Sequence, residues 1–306
     1  MRIINLDLNR KNTVNLPMCA CIGYFDGVHK GHKALIDKTI QLANEKNCSS
    51  ALITFDKDPW EVIHNQSGIK HISTFRQRIN MAVSYGIKNI VILHFTKEMS
   101  ELSPTDFIDK VLGQLDLRAL VCGFDFHYGY HGEGDSTSLK KDAAYEVIVL
   151  DAVEDEEGKI SSTRISKEVE KGNFPIVSKM LGYHFTIEGI VKSGNQQGTK
   201  IGFPTANIEI NEEYILPPMG VYAGYARIGG KRYEAMINLG HNPTMNYSQK
   251  LSLEVHLLNY HDDIYGKLVS VEFVQFIRNE IKFKNRDNLI MQLEQDARVI
   301  HRLLNT

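Results

Sequence analysis

The chain has 306 residues, 42% of them hydrophobic and 24% charged, with a formal net charge of -2 at pH 7. That length exceeds the usual single-domain size, so two domains are expected, each large enough to bury its own core. The near-balanced charge leaves no field that would recruit nucleic acid or an anionic membrane, and any polyanionic ligand must be met by a local site.

No run of about 18 apolar residues occurs, and the opening MRIINLDLNRKN lacks the apolar core of a secretion signal. Cys19, Cys21, Cys48 and Cys122 form no CxxC pair, and three of them sit in strand-like runs. They read as reduced, buried thiols of a cytoplasmic protein. Between Met18 and about Leu150, the apolar runs Cys19–Gly23, Ala51–Phe55, Asn89–Phe95, Ala119–Gly123 and Glu146–Leu150 alternate with helical spacing over Lys33–Lys46, Thr74–Tyr85, Pro104–Leu115 and Ser138–Ala144. Fully apolar strands separated by helices imply a doubly wound parallel sheet, an α/β domain whose ligands sit beyond the carboxyl ends of the strands. The acidic stretch Asp151–Glu157 reads as a solvated loop, followed by a short helical segment to about Leu181.

After Gly182 the texture changes to β-rich runs broken by Gly, Pro and Asn: His184–Val191, Gly220–Ile228, Lys231–Leu239, Leu251–Leu258 and Leu268–Phe276. Gly229-Gly230 between two of them is a two-residue hairpin signal. Only Arg286–Leu304 has long helical periodicity. An antiparallel β-barrel closed by a C-terminal helix is expected, with domains at residues 1–182 and 183–306.

Gly23 to His32 read GYFDGVHKGH at the carboxyl end of the first apolar strand. A tight strand-to-helix turn with incidental histidines is one reading. The other is phosphate chemistry. Two imidazoles beside the first amides of a helix join the dipole in holding an anion, and imidazolium donors meet charge that develops as a phosphoanhydride breaks. Gly27 and Gly31 allow close backbone approach. A Walker A loop is absent, because Gly194-Asn-Gln-Gln-Gly198-Thr-Lys200 has one residue too few between its glycines and places Thr before Lys.

GYFDGVHKGH resembles the H-x-G-H signature of nucleotidyltransferases, and Ile53-Thr-Phe55, Gly123-Phe-Asp-Phe-His-Tyr-Gly129 and Ile160-Ser-Ser-Thr-Arg-Ile165 follow in the order of the prokaryotic bifunctional riboflavin kinase/FAD synthetases. The resemblance implies that His29 and His32 stabilise the transferring phosphoryl group, that Gly23, Phe25, Gly27, Gly31, Ser162, Thr163 and Arg164 meet ATP and its phosphates, and that Asp125 and Phe126 lie at the flavin pocket. One departure stands out. Thr54-Phe-Asp-Lys-Asp-Pro-Trp60 places Asp58 where the family usually has histidine and Trp60 where it has a basic residue, and an acid there should repel a triphosphate.

Downstream, Gly202-Phe-Pro-Thr-Ala-Asn207 taken alone is a turn, yet Thr and Asn are hard oxygen donors of the kind magnesium accepts beside nucleotide phosphates. Glu254 interrupts a strand-like pattern; it is either an outward carboxylate or a base able to take a proton from a primary alcohol. The segment resembles riboflavin kinases through Gly202–Ile208, Pro217–Tyr222, Asn238–Thr244, Leu253–Leu258 and Arg278–Phe283. The resemblance implies that Thr205 and Asn207 hold Mg2+ of ATP, that Glu254 is the catalytic base, that Gly194 to Gly198 covers the phosphates, and that Arg278 lies near the flavin. Thr199 and Asn259 depart from the usual Arg and Asp. The expected partners are ATP, riboflavin and FMN, with FAD as product and neither nucleic acid nor membrane as partner. Two alternatives stay open: a riboflavin kinase whose adenylyl half has decayed at Asp58 and Trp60, and a flavin-binding regulator without turnover.

Overall fold

A computed structural model describes residues 1–9, 13–192, 198, 201–210, 213–241, 251–260 and 262–305. The chain divides into two units, Met1–Ser162 and Thr163–Thr306.

The strands of the first unit are β1 (Arg2–Leu6), β2 (Val14–Ile22), β3 (Ser49–Phe55), β4 (Asn89–Leu93), β5 (Leu115–Gly123) and, past two short strands named below, β8 (Glu146–Leu150). They form one parallel sheet in the order β1-β4-β3-β2-β5-β8. The helices are α1 (Lys30–Glu45), α2 (Pro59–His64), α3 (Phe75–Ser84), α4 (Lys97–Ser100), α5 (Pro104–Lys110) and α6 (Ser136–Asp142). Side chains of β2 alternate between two cores, as the pleat requires. Cys19 and Cys21 pack with Leu35 and Ile36 of α1 and Ile79 of α3, whereas Met18, Ala20 and Ile22 pack with Phe107 of α5 and Leu139 of α6. Both faces are therefore covered, and the doubly wound arrangement follows. All four cysteines are free.

Edge strand β1 was not expected from the sequence. Ile4 and Leu6 are buried while Ile3 is exposed, so its short half-apolar pattern carries little signal until β4 supplies a partner. The acidic stretch is also more than a loop, since β9 (Glu154–Asp155) and β10 (Gly158–Lys159) form a small hairpin; β6 (His127–Tyr128) and β7 (Gly134–Asp135) form another.

The second unit starts with α7 (Ser162–Glu170), whose first residue closes the first unit, and α8 (Phe174–Leu181), ended by Gly182 in the left-handed region. Phe174 stacks on Phe185 and Phe273 and meets Tyr222 edge-on, so α8 packs with the strands that follow it. The compositional change at Gly182 marks the first barrel strand, and the helices before it already belong to the same unit. A closed barrel then runs β11 (Thr186–Lys192), β12 (Ala206–Glu209), β15 (Leu251–Leu257), β14 (Lys231–His241), β13 (Gly220–Ile228) and β16 (Leu268–Arg278). Gly229 and Gly230, at φ +56° and +83°, make the tight β13–β14 hairpin that the sequence announced. Strand β12 arises inside the Pro204–Asn207 run that reads locally as a turn.

Ala206, Ile208, Ile237, Leu239, Leu253, Val255, Val271 and Phe273 are buried, and by pleat alternation Val221, Ala223 and Met236 face the opposite way. That opposite face is covered by α9 (Arg286–Leu304), which packs Leu293 and Ile300 against it.

Candidate active sites

The strand-to-helix turn after β2 is built from strained backbone. Phe25, Gly27 and Val28 have φ of +62°, +73° and +34°, and a positive φ at a buried valine persists only where its surroundings fix it. They do so here. Asp26 accepts hydrogen bonds from Ile72 N, Ser73 N and Ser73 Oγ at 3.0–3.1 Å, Gly27 N donates to Ser73 Oγ at 2.8 Å, and Ser162 Oγ donates to the Asp26 carbonyl at 3.0 Å.

His29 is the N-cap of α1, its Nδ1 accepting from Gly31 N at 3.1 Å and His32 N at 3.4 Å. In the neutral ring the proton therefore sits on Nε2. Gly31 leaves room for the ring, because a Cβ there would lie 3.0 Å from His29 Cε1 and the imidazole would have to give by a few tenths of an ångström. The His32 ring stacks on His29 with centroids 3.7 Å apart and takes the edge of Phe25 on its other side. His32 Nδ1 is buried with no hydrogen-bond partner among the described residues.

Burial, reinforced by the charge of Lys159, pushes His29 down from 6.5 to about 4, and burial together with its His29 neighbour pushes His32 well below its ordinary value. Both are neutral at pH 7. The sequence reading of imidazolium donors is corrected on this point: these rings offer neutral N–H donors, and two of the helix amides are already taken by His29 Nδ1.

His29, His32, Gly23, Gly31, Asp125, Phe126 and Ser162 line one cavity of about 1160 Å³. Phe25 and Gly27 are buried beneath it. Thr163 and Arg164 lie in the first turn of α7, in the second unit. Asp125 is ion-paired with Lys159, whose ammonium also lies 4.7 Å from the Phe124 ring centre. Sequence reasoning passed over Lys159, although it stands immediately before the Ile160–Arg164 run.

Asp58 does not do what its sequence position suggests. It caps α2, accepting from Trp60 N at 2.8 Å, and its other oxygen lies 3.8 Å from His71 Nδ1. Burial raises its pKa. The cavity wall at this point is Pro59, Trp60, Ile63 and His64, without the carboxylate. Asp58 is thus a buried helix cap outside the cavity lining, and its His71 neighbour also lies 3.9 Å from Asp26.

In the second unit the pairing register assembles the site. Asn207 lies opposite Glu254, and Glu254 lies opposite Asn238, across β12, β15 and β14. Directly opposed residues share a sheet face, and Thr205, immediately before β12, lines the same cavity as Glu254 and Asn238. Thr205, Asn238, Glu254, His256, Arg278 and Gly198 line a cavity of about 850 Å³, together with Leu289 and Leu293 of α9. Gly198 O accepts from Ile201 N and Phe203 N. Gly194 and Thr199 lie outside the described residues, while Asn259 takes the left-handed turn (φ +58°) that asparagine tolerates.

The Arg278 guanidinium donates to Asp296 Oδ2 from Nε at 2.9 Å and Nη2 at 2.7 Å, and Gln292 Nε2 donates to Asp296 Oδ1 at 2.9 Å. Arg278 therefore clamps α9 as well as lining the cavity. Asp296, Asn238 and His256 were not singled out from sequence. Asp296 leaves one trace, an acid in the Leu289, Leu293, Ile300 stripe. His256 Nδ1 is 2.8 Å from the Pro204 carbonyl, which ties β15 to the residue before Thr205; burial lowers its pKa.

The Thr205 hydroxyl and the Asn207 amide oxygen are hard oxygen donors that fit magnesium, an ion that takes few protein ligands beside phosphates and water, and they leave the Glu254 carboxylate free to act as a base. No cluster of three or more His, Cys, Asp or Glu able to hold a metal occurs among the described residues.

A family model described as FAD synthetase matches residues 11–164, and one described as riboflavin kinase matches residues 181–304. A bifunctional riboflavin kinase/FMN adenylyltransferase of Listeria monocytogenes is 39% identical over 278 residues, covering 90% of this chain and 88% of that relative. One of Bacillus subtilis is 34% identical over 280 residues, covering 90% and 89%. A crystal structure from Streptococcus pneumoniae, described as a macrolide-efflux protein, is 30% identical, covers 98% of this chain and 99% of its own, and superposes with a TM-score of 0.89. Among the described residues no helix is long and apolar enough to cross a membrane. With both halves matched in order and the curated relatives similar along most of their length, the chain belongs to the bifunctional riboflavin kinase/FMN adenylyltransferase family.

Proposed function

We infer that the protein carries out two consecutive transfers in the cytoplasm: residues 183–306 move the γ-phosphate of ATP to riboflavin, giving FMN and ADP, and residues 1–182 move AMP from ATP to FMN, giving FAD and pyrophosphate. The reading rests on family membership. The observation that carries it is the alignment of Asn207, Glu254 and Asn238 on one sheet face, with Thr205 lining the same cavity as Glu254, a constellation that a binding module without turnover has no need to keep.

In the barrel unit, Glu254 takes the proton from the ribityl primary alcohol as that oxygen attacks the γ-phosphorus, and the ADP oxygen leaves on the opposite side. Thr205 and Asn207 would hold Mg2+, which supplies Lewis-acid neutralisation of the phosphate oxygens when bound. Arg278 holds α9 over the cavity and keeps bulk water from competing with the alcohol.

In the α/β unit, the FMN phosphate oxygen attacks the α-phosphorus of ATP. His29 Nε2–H and the His32 ring donate hydrogen bonds to oxygens that gain charge as pyrophosphate departs, at a helix mouth where the dipole favours anions. Lys159, paired with Asp125 and lining the same cavity, is a cation placed to meet that charge. Ser162 fixes the turn that presents the histidines. The buried, capped Asp58 speaks against a decayed adenylyl half.

The test is product analysis. Purified protein given riboflavin, ATP and magnesium should yield FMN first and FAD after it on a chromatogram. FMN alone would reduce the protein to a kinase, and flavin binding without ATP consumption would make it a regulator.

A further inference from the structure

Helix α2 has no fully buried side chain: Val62 packs half-buried against the core, Asp58 caps the helix, Pro59 opens it, and Glu61 Oε1 accepts from Ile69 N at 3.2 Å. Its Trp60, Ile63 and His64 lie at i, i+3 and i+4, on one helical face, and all three line the first cavity. Trp60 is 64% exposed and Ile63 52%. The indole stacks on the His64 ring with centroids 4.7 Å apart and planes at 14°, so one face is covered and the other is open. Large apolar groups left exposed in a cavity mark a ligand surface, and a flat aromatic face selects a flat ligand.

Two planar rings enter this site, adenine and isoalloxazine, and the sheet order separates them. Strands β4 and β3 lie on one side of β2, and strands β5 and β8 lie on the other. From the β3–β4 side come Phe55, Trp60, Ile63, Phe95 and Met99; from the β5–β8 side come Phe124, Phe126 and Tyr128 together with Asp125, Asp151 and Lys159. The first wall offers the open indole and Ile63 to the flat face and dimethylbenzene edge of a tricycle, and the second adds the carboxylates and ammonium whose donors and acceptors a purine needs, with Phe126 available to either ring and the phosphates between them at His29 and His32.

We propose that Trp60 is a specificity-determining residue of the adenylyl site, stacking its open indole face on the isoalloxazine ring of FMN while His64 backs the other face. This rests on reading the α/β unit as an FMN adenylyltransferase.

Pyrophosphate release, measured with FMN and ATP varied separately, tests it. Aromatic stacking on a planar base is typically worth enough that Trp60→Ala should raise the KM for FMN roughly tenfold. The KM for ATP and kcat should stay within about twofold, and Trp60→Phe should recover most of the loss. The exposed position predicts an unchanged unfolding temperature for both variants. Trp60 is the only tryptophan in the chain, so wild-type emission should fall as FMN fills the site, with a charge-transfer shoulder beyond the flavin absorption band that Trp60→Ala abolishes. An unchanged KM for FMN in Trp60→Ala, alongside an active wild type, overturns the stacking role alone, and a raised KM for ATP reassigns the indole to adenine and overturns it likewise. Failure of the wild type to release pyrophosphate with FMN removes the adenylyl reading beneath it.

Discussion

Asp296→Ala isolates the clamp that holds α9 on the barrel. Asp296 is 2% exposed and accepts three hydrogen bonds, two of them from the Arg278 guanidinium, whose side chain is 16% exposed. Removing one partner of a buried ion pair leaves an uncompensated charge in low dielectric, which costs ~3–5 kcal/mol. For a unit of this size that loss lowers the unfolding temperature by on the order of 10 °C. Most of the cost belongs to the stranded guanidinium, so Arg278→Met combined with Asp296→Leu should restore stability to within ~2 kcal/mol of the parent. Because Leu289 and Leu293 of α9 line the kinase cavity, Asp296→Ala should also raise the KM for riboflavin. Thermal unfolding of the parent, the single variant and the double variant, with FMN formation followed in parallel, gives all three quantities. A single-variant loss under ~1 kcal/mol, or a double variant no more stable than the single, would refute the clamp, since both outcomes mean that the pair is solvated.

Acid should weaken the α/β unit through His29. Above pH 6.5 neither the folded nor the unfolded ring carries a proton and its contribution is complete; as pH falls toward about 4 the unfolded chain binds a proton that the folded chain refuses, and stability is lost. The interval from 6.5 to about 4 corresponds to ~3 kcal/mol. Denaturant titrations at pH 7 and pH 4.5 should show the gap between parent and His29→Asn, which keeps a capping side chain, shrinking by ~2 kcal/mol in acid; a constant gap contradicts the neutral buried ring. Asp58→Asn retains the α2 cap and removes the charge, so the KM for ATP in FAD synthesis should stay within about twofold, whereas a large drop would restore the repulsion reading.

Elements with local chemistry were legible in the sequence. The apolar run Cys19–Gly23 had to be a central parallel strand, Gly229-Gly230 had to be a hairpin, and the Arg286–Leu304 stripe had to be a helix with one buried face. What escaped depends on partners distant in the chain. β1 becomes a strand only beside β4, and β12 only between β11 and β15. The site residues divide the same way. Thr205, Asn207 and Glu254 were nameable from motifs, but the face that Asn207 and Glu254 share comes from register. Asn238 joins them only through its pairing with Glu254, and Asp296 gains meaning only when Arg278 arrives from β16. The charge of the two histidines was not legible, because burial by remote elements lowers their pKa. The cap that Asp58 makes and its His71 neighbour are likewise invisible in a short motif.

The most direct test of two separate chemistries in one chain is chromatography of reactions catalysed by Glu254→Gln and by the double variant His29→Asn, His32→Asn. Glu254→Gln should form no FMN from riboflavin yet convert supplied FMN to FAD at the parental rate, while the histidine variant should accumulate FMN and no FAD. Parental FMN formation by Glu254→Gln, or parental FAD formation by the histidine variant, would contradict the division of labour between the two cavities.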